Sequence, residues 1–145
     1  MTLRNLLGTS LDAIAPDKTL LAKLLAAAER SISDAQVEGL STESQFDAAY
    51  KAIIQLATVA LHANGYRSLT SKPGHQQTSI QTLTLTVGLS QARAIVLDAL
   101  RKQRNLSVYS GDPVPISAAS ECLDSAKYLL AHVHAWLKSQ KPELI

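Results

Sequence analysis

The sequence predicts an all-α fold, an up-and-down bundle of four main helices with one or two short extra ones. Three observations carry the prediction. Apolar residues recur at spacings of three and four in four separate stretches, the period of a helix packed on one side. Leu, Ala and Ile dominate an apolar fraction of 46%, whereas aromatics make up only 4%, which suits helices on helices rather than a β-sandwich. At 145 residues the chain is the size of one ordinary domain. A single unit over 1–145 is expected, with its core at about 17–139.

Pro16 and Asp17 open the first helix, whose expected inner face is Leu20, Leu21, Leu24, Leu25, Ala28 and Ile32. Gly39 breaks the pattern. Ser41 to Glu43 start a second helix, in which Phe46, Ala49, Tyr50, Ile53, Ala57, Ala60 and Leu61 recur at helical spacing. Asn64-Gly65 is a C-cap signal, and a polar loop follows from Ser68, turning at Lys72-Pro73-Gly74. From Ile80 to Val87 two periods compete. Thr82, Thr84 and Thr86 alternate with Leu83, Leu85 and Val87 as in a strand, while Ile80, Leu83 and Val87 fit one helical face. No other segment reads as β, and a lone strand has no partner, so a helix is expected. Ser90 caps the next helix, expected to run through Ile95, Leu97 and Leu100 to about Arg104. Ser110 to Ser117, with Gly111, Pro113 and Pro115, is expected as a loop. Ser117 is the expected cap of the last helix, striped by Ala119, Cys122, Leu123, Ala126, Leu129, Leu130, Val133 and Leu137.

Composition closes several functional classes. A formal charge of +2 is too small to coat a nucleic acid, so any basic surface has to be local. The lone Cys122 excludes an internal disulfide and a Cys-rich zinc site, and its place on an apolar stripe makes it a small hydrophobe. No apolar run approaches the length of a membrane span. Residues 1–11 lack the apolar core and cleavage site of an export signal. A cytoplasmic protein without membrane contact is expected.

Among polar residues, His132 and His134 are two apart on one helix and face different ways, so they do not share a metal. His62 and His75 belong to other segments and are expected at surfaces or helix ends. No metal site and no cofactor are expected. No serine sits in a nucleophile elbow, and no glycine loop cradles phosphate. Asp17, Asp34, Glu38, Asp47 and Glu121 read as caps and solvated faces. Asp112 reads as an Asx turn ahead of Pro113, within reach of Arg101 or Arg104.

The functional information concentrates between Arg101 and Asp112. Arg93, Leu97, Leu100 and Arg104 follow at spacings of four, three and four and share one side of a helix. An arginine that continues an apolar stripe points to a core or an interface, where it needs an acceptor. Arg101, Lys102 and Arg104 are expected in the last helical turn, where cations also complement the helix dipole.

The run from Leu100 to Tyr109, ahead of a Pro-containing loop and a final amphipathic helix, resembles the HEPN domain family. Such domains are small helical bundles with an Arg-Asn pair near the end of one helix, followed four to six residues later by His or, in some branches, Tyr. Here Arg104-Asn105 match the pair, and Tyr109 stands where most active members carry His. The resemblance extends to Phe46 through Arg67 and to Gly74-His75, and covers roughly Asp17 to Ser139. It implies a homodimer in which two motifs meet across a cleft, and metal-independent RNA cleavage by the strand's own 2′-hydroxyl. Arg104 would hold the phosphate, Asn105 would orient the backbone or the phosphate, and residue 109 would move the proton. Arg101 and Lys102 would add phosphate affinity.

Tyrosine at that place weakens the cleavage implied, because tyrosine ionises near pH 10 and histidine near 6.5. Binding RNA or nucleotide phosphate survives the change better. The resemblance further implies a toxin or defence role, with a nucleotidyltransferase-type antitoxin as a partner. Some such partners modify a tyrosine two residues beyond the His, where this chain has Gly111. A rival from another class is a catalytically silent module in which Arg104 and Tyr109 hold a dimer or partner interface.

Overall fold

A computed structural model describes residues 2–145. Four long helices carry the fold: α1 (Lys18–Ala35), α2 (Thr42–Ala63), α5 (Gln91–Ser110) and α6 (Ile116–Gln140). Two short ones, α3 (His75–Gln81) and α4 (Leu83–Thr86), lie between α2 and α5. The chain is an all-α helical bundle, and the alternating Thr-Leu stretch is helical as its apolar face requires.

The caps explain where the long helices begin. Asp17 accepts from the Thr19 and Leu20 backbone N–H groups at 2.9 and 3.3 Å. Ser41 does the same for Ser44, and Ser90 for Arg93. Each side chain satisfies a donor that the first helical turn leaves without a partner. α2 is the centre of the bundle and touches α1, α3, α4, α5 and α6. Phe46, Ala49, Tyr50, Ile53, Leu56, Ala57, Val59 and Ala60 are all buried along it.

Several expectations are corrected. α1 turns Leu21, Leu25, Ala28 and Ile32 inward, but Leu20 faces solvent, because the buried stripe includes Ser31 and Ala35 instead. A strand pair does occur: β1 (Leu11–Ala13) runs antiparallel to β2 (Tyr66–Ser68), with Leu11 opposite Ser68. Three residues are too few to show a period of two, and the pair is held to the bundle by Leu11, which is fully buried. Gly65 lets the chain turn from α2 into β2. It adopts φ +86°, where its carbonyl accepts from the Ile14 N–H at 2.9 Å. Ahead of β1, Arg4–Leu6 form a 3-10 turn that the sequence did not suggest.

The most consequential correction concerns α5. It does not stop near Arg104 but continues to Ser110, and Gly111 closes it at φ +73° with its N–H on the Ser107 carbonyl. No glycine or proline intervenes before residue 111, so nothing ends the helix earlier. Arg101, Lys102 and Arg104 therefore lie inside the helix, and the dipole of the last turn does not account for them. α6 likewise starts earlier than expected. The Pro115 carbonyl takes the N–H groups of Ala118 and Ala119, which leaves Ser117 within the helix rather than capping it.

His62 stands at a helix end, in the last turn of α2, as expected, but it is buried rather than at the surface. Its Nε2 accepts the Asp17 backbone N–H at 2.9 Å, tying the end of α2 to the start of α1. Burial lowers its pKa from the usual 6.5, against the pull of Asp17. The folded chain therefore binds fewer protons than the unfolded chain below about pH 6.5, so stability falls as pH drops through that value. Urea unfolding at pH 7.5 and 5.5 should show this loss in the natural protein and a smaller one in His62→Gln. Equal pH dependence in both would remove His62 as its source.

Candidate functional site

α2 is apolar almost all round, yet one row cuts along it. Glu43, Asp47, Lys51 and Gln55 are four residues apart and so stack on one face. Two open grooves share this row and meet at Arg104 of α5. One, of about 480 Å³, lies between the start of α2 and the turn after α5, with Glu43, Asp47, Val108, Asp112 and Pro113 in its walls. The other, of about 330 Å³, is lined by Asp47, Tyr50, Lys51, Gln55 and Gln76. Arg104 and Asp47 belong to both.

The guanidinium of Arg104 lies over the Tyr50 ring, 5.3 Å from its centroid, within the range of a cation–π contact. Tyr50 is itself buried, stacks on Phe46, and donates its hydroxyl to Gln76 Oε1 at 2.8 Å. Burial pushes the Tyr50 phenol up to about 12, although Arg104 and Arg101 pull the other way. The ring is thus a neutral platform. Ser31 donates to Gln55 Oε1 at 2.9 Å. Both groove amides spend their oxygens on hydroxyls, and among the described residues no side-chain acceptor takes their Nε2 hydrogens.

The three cations of the motif have different fates. Arg101 is only 14% exposed and donates to Asp98 Oδ1 at 2.9 Å. Lys102 lies 3.4 Å from the other Asp98 oxygen and faces solvent. Burial of Asp98 works to raise its pKa, but the Arg101 bond and charge, backed by Lys102, hold the carboxyl below its usual range. Arg104 has no carboxylate within ion-pair distance among the described residues. It is the guanidinium left open to an anion.

Arg104, Asn105 and Tyr109 do not converge within one chain. Five residues of helix turn Tyr109 about 140° away from Arg104, and its ring is 87% exposed. Asn105 and Tyr109, four apart, share a side instead. Asp112 pairs with neither Arg101 nor Arg104: it takes the Ser110 hydroxyl at 3.0 Å, and its own N–H goes to Ser110 Oγ. That is a serine turn rather than an Asx turn. Asp47, Lys51, Gln55 and Gln76 were not picked out from the sequence as a site. The signal available for three of them was the polar row interrupting an apolar helix.

Other reactive types are occupied elsewhere. Cys122 is buried, its thiol pushed up to about 12 by burial, and its Sγ leans on the Phe46 carbonyl at 3.7 Å. His132 Nε2 bonds to the Val87 carbonyl, while His134 faces Glu29. Among the described residues no group of His, Cys, Asp and Glu is arranged to hold a metal, and no helix is long and apolar enough to cross a membrane. Compared with known proteins, the chain matches no family model, no curated protein and no solved structure.

The unequal roles of the two arginines can be separated by stability. Arg101→Ala leaves the half-buried Asp98 carboxylate with only the exposed Lys102 and should cost about 1.5 kcal/mol. Arg104→Gln loses only the contact with Tyr50, worth under about 1 kcal/mol. Urea unfolding of both variants checks the order; a larger loss for Arg104→Gln would mean that its guanidinium is structural.

Proposed function

We propose that the chain is a HEPN-like, cytoplasmic helical domain that binds RNA or nucleotide phosphate, with Arg104 as the primary anion contact. The observation that supports this most is the half-buried guanidinium of Arg104, held over Tyr50 and facing two grooves without an ion-pair partner. Lys51 and the amides of Gln55 and Gln76 line one of those grooves and give it an excess of donors over acceptors. Charge-assisted bonds from such a set suit phosphate oxygens. Arg101 is spent on Asp98 and lines neither groove, so it is not a ligand contact in this reading.

In this reading, binding is the main activity. Metal-independent cleavage of RNA, in a toxin or defence setting, is the lesser part of the proposal. Tyr109 stands away from Arg104 in one chain, and a tyrosine is a poor general base at neutral pH. Fluorescence anisotropy with a short labelled single-stranded RNA tests the central claim. Arg104→Gln and Lys51→Gln should each weaken binding, Arg104→Gln by about 10-fold or more, and binding should fall steeply with salt. Equal affinity of Arg104→Gln and the natural protein would remove the assignment.

A second reading, self-association, is favoured by the outer side of α5. Ala92, Ile95, Ala99, Lys102, Leu106 and Tyr109 follow at spacings of three and four, and all are exposed. Ile95, Leu106 and Tyr109 leave 60%, 55% and 87% of their surfaces to solvent. Such a seam is the pattern by which one helix pairs with another. A homodimer across α5 is therefore part of the proposal, and a nucleotidyltransferase-type partner would compete for the same seam. Sedimentation of the natural protein should give a dimer, and Ile95→Glu with Leu106→Glu a folded monomer. A monomer at all concentrations for the natural protein would exclude this seam as a homodimer interface.

A further inference from the structure

At the end of α2 away from the grooves, one buried contact joins two parts of the chain. The Asp17 backbone N–H points at His62 Nε2, 2.9 Å away, and the ring is only 6% exposed. A backbone N–H can only donate, so Nε2 offers its lone pair and the hydrogen of the neutral ring sits on Nδ1. A proton taken from solvent therefore binds Nε2, the one nitrogen free to accept it. The new N–H then faces the Asp17 N–H. Two donors oppose each other where a hydrogen bond had been.

The two sides of this contact are held unequally. On α2, the neighbours Val59, Ala60, Leu61 and Ala63 are all buried. On the other side, residues 2–16 bury a single side chain, Leu11. They are fastened by the three-residue pairing of β1 with β2, by the Leu69 N–H on the Ser10 carbonyl and by the Ile14 N–H on the Gly65 carbonyl. The Asp12–Arg67 pair lies in solvent and adds little. The Asp17 carboxylate holds the Thr19 and Leu20 N–H groups whether or not His62 is charged, so α1 keeps its cap. Ala15-Pro16 is then the hinge, and the N-terminal segment is the side that gives way.

We infer that residues 2–16 form an acid-released strap: a proton on His62 Nε2 breaks the clasp at Asp17 and lets β1 part from β2 while the bundle stays folded. A segment with so little buried surface lies at the low end of local stability. In the closed form burial resists the charged ring and lowers its pKa, with Asp17 pulling the other way. Opening admits water to the ring and leaves Asp17 at the start of α1, so the open form takes the proton more readily. The open fraction therefore rises as pH falls through about 6.5, the ordinary histidine value. Asp17 is the one charge that acts on the ring. Of the other groups on the elements around α2, Lys18 on α1 and Lys138 on α6 are exposed, and Arg67 on β2 is spent on Asp12 of β1. His132 is held on the Val87 carbonyl and His134 on Glu29. Tyr66 on β2 and His75 on α3 are half-buried, α4 has no ionisable group, and Arg101 and Arg104 act on Tyr50, about three turns away. The open form presents Leu11 and the unpaired edge of β2, a surface able to pair with another chain.

Amide hydrogen exchange of the whole chain at pH 7.5 and 5.5, expressed as protection so that the intrinsic rate cancels, tests the strap. The Ile14 and Asp17 amides should lose several-fold in protection at the lower pH, up to the roughly 10-fold that one proton allows. At both values they should exchange faster than the Leu56 and Val59 amides, and low urea should not speed them, because the opening is local. In His62→Gln the amide oxygen can accept the Asp17 N–H and carries no proton, so strap protection should stay within about 2-fold between the two pH values. Strap amides as well protected as those of α2, no loss of protection in acid, or a loss that survives His62→Gln each overturn the proposal. If His62→Gln does not fold, the natural protein decides by NMR. The His62 ring signals and the Ile14 and Asp17 amide shifts should then titrate with one midpoint, and separate midpoints overturn the link.

Discussion

Everything in this fold follows from the need to cover α2. Its residues from Phe46 to Ala63 are apolar on nearly every side, and most are fully out of water. A helix of that kind has no stable surface of its own. It is satisfied only when α1, α6 and the α3–α5 segment surround it. The single strip left for solvent is the row of Glu43, Asp47, Lys51 and Gln55, and any ligand that reaches the centre of the bundle has to come along that strip. The candidate site is therefore the one seam that the burial of α2 leaves open, rather than a cavity hollowed from the core.

The basic residues of α5 show how such a seam acquires charge. A guanidinium beside an apolar surface needs an acceptor, a carboxylate or a ring face. Arg93 uses the face of Tyr128, 3.7 Å from its centroid. Arg101 uses Asp98. Arg104 has only the Tyr50 ring, a weaker partner, and burial keeps that phenol neutral so that it does not become a counter-ion. The two arginines at the ends of the Arg93–Leu97–Leu100–Arg104 stripe thus both lie on tyrosines, but Arg93 and Tyr128 border a cleft of only about 10 Å³, whereas Arg104 lies where grooves of about 480 and 330 Å³ meet. Position along the stripe, not residue type, separates a structural arginine from one available to a ligand.

Much of the fold was legible because it is written in periods and caps. The stripes of α2 and α6, the caps at Asp17, Ser41 and Ser90, and the burial of Cys122 follow from spacing and side-chain chemistry, which are local. What escaped depends on distant partners. β1 and β2 exist because residues more than fifty positions apart meet, and His62 is buried because α1 begins against it. The site was half legible. Arg104 stood out through its place on the stripe, whereas the groove opposite it is assembled by α2 and α3. Asp47 looked like an ordinary solvated acid, since nothing local shows that α5 passes over it.

The extension of α5 to Ser110 decides how the motif operates. If the helix ended near Arg104, the following residues would form a loop able to fold Tyr109 back towards the guanidinium. With the helix continuous, the two side chains diverge by the helical period itself, and no rotamer of either repairs that. Residues Arg101–Ser110 nonetheless include no buried side chain, so this half of α5 is held by its own backbone bonds and by Gly111 rather than by the core. Segments of that kind lie at the low end of local stability. Arg104 is anchored at the inner end of this overhang by Tyr50, and Tyr109 stands at its outer end. Within one chain the anchored part of the motif is Arg104, the residue proposed to meet an anion, whereas Tyr109 at the outer end is left to whatever docks against the exposed side of α5.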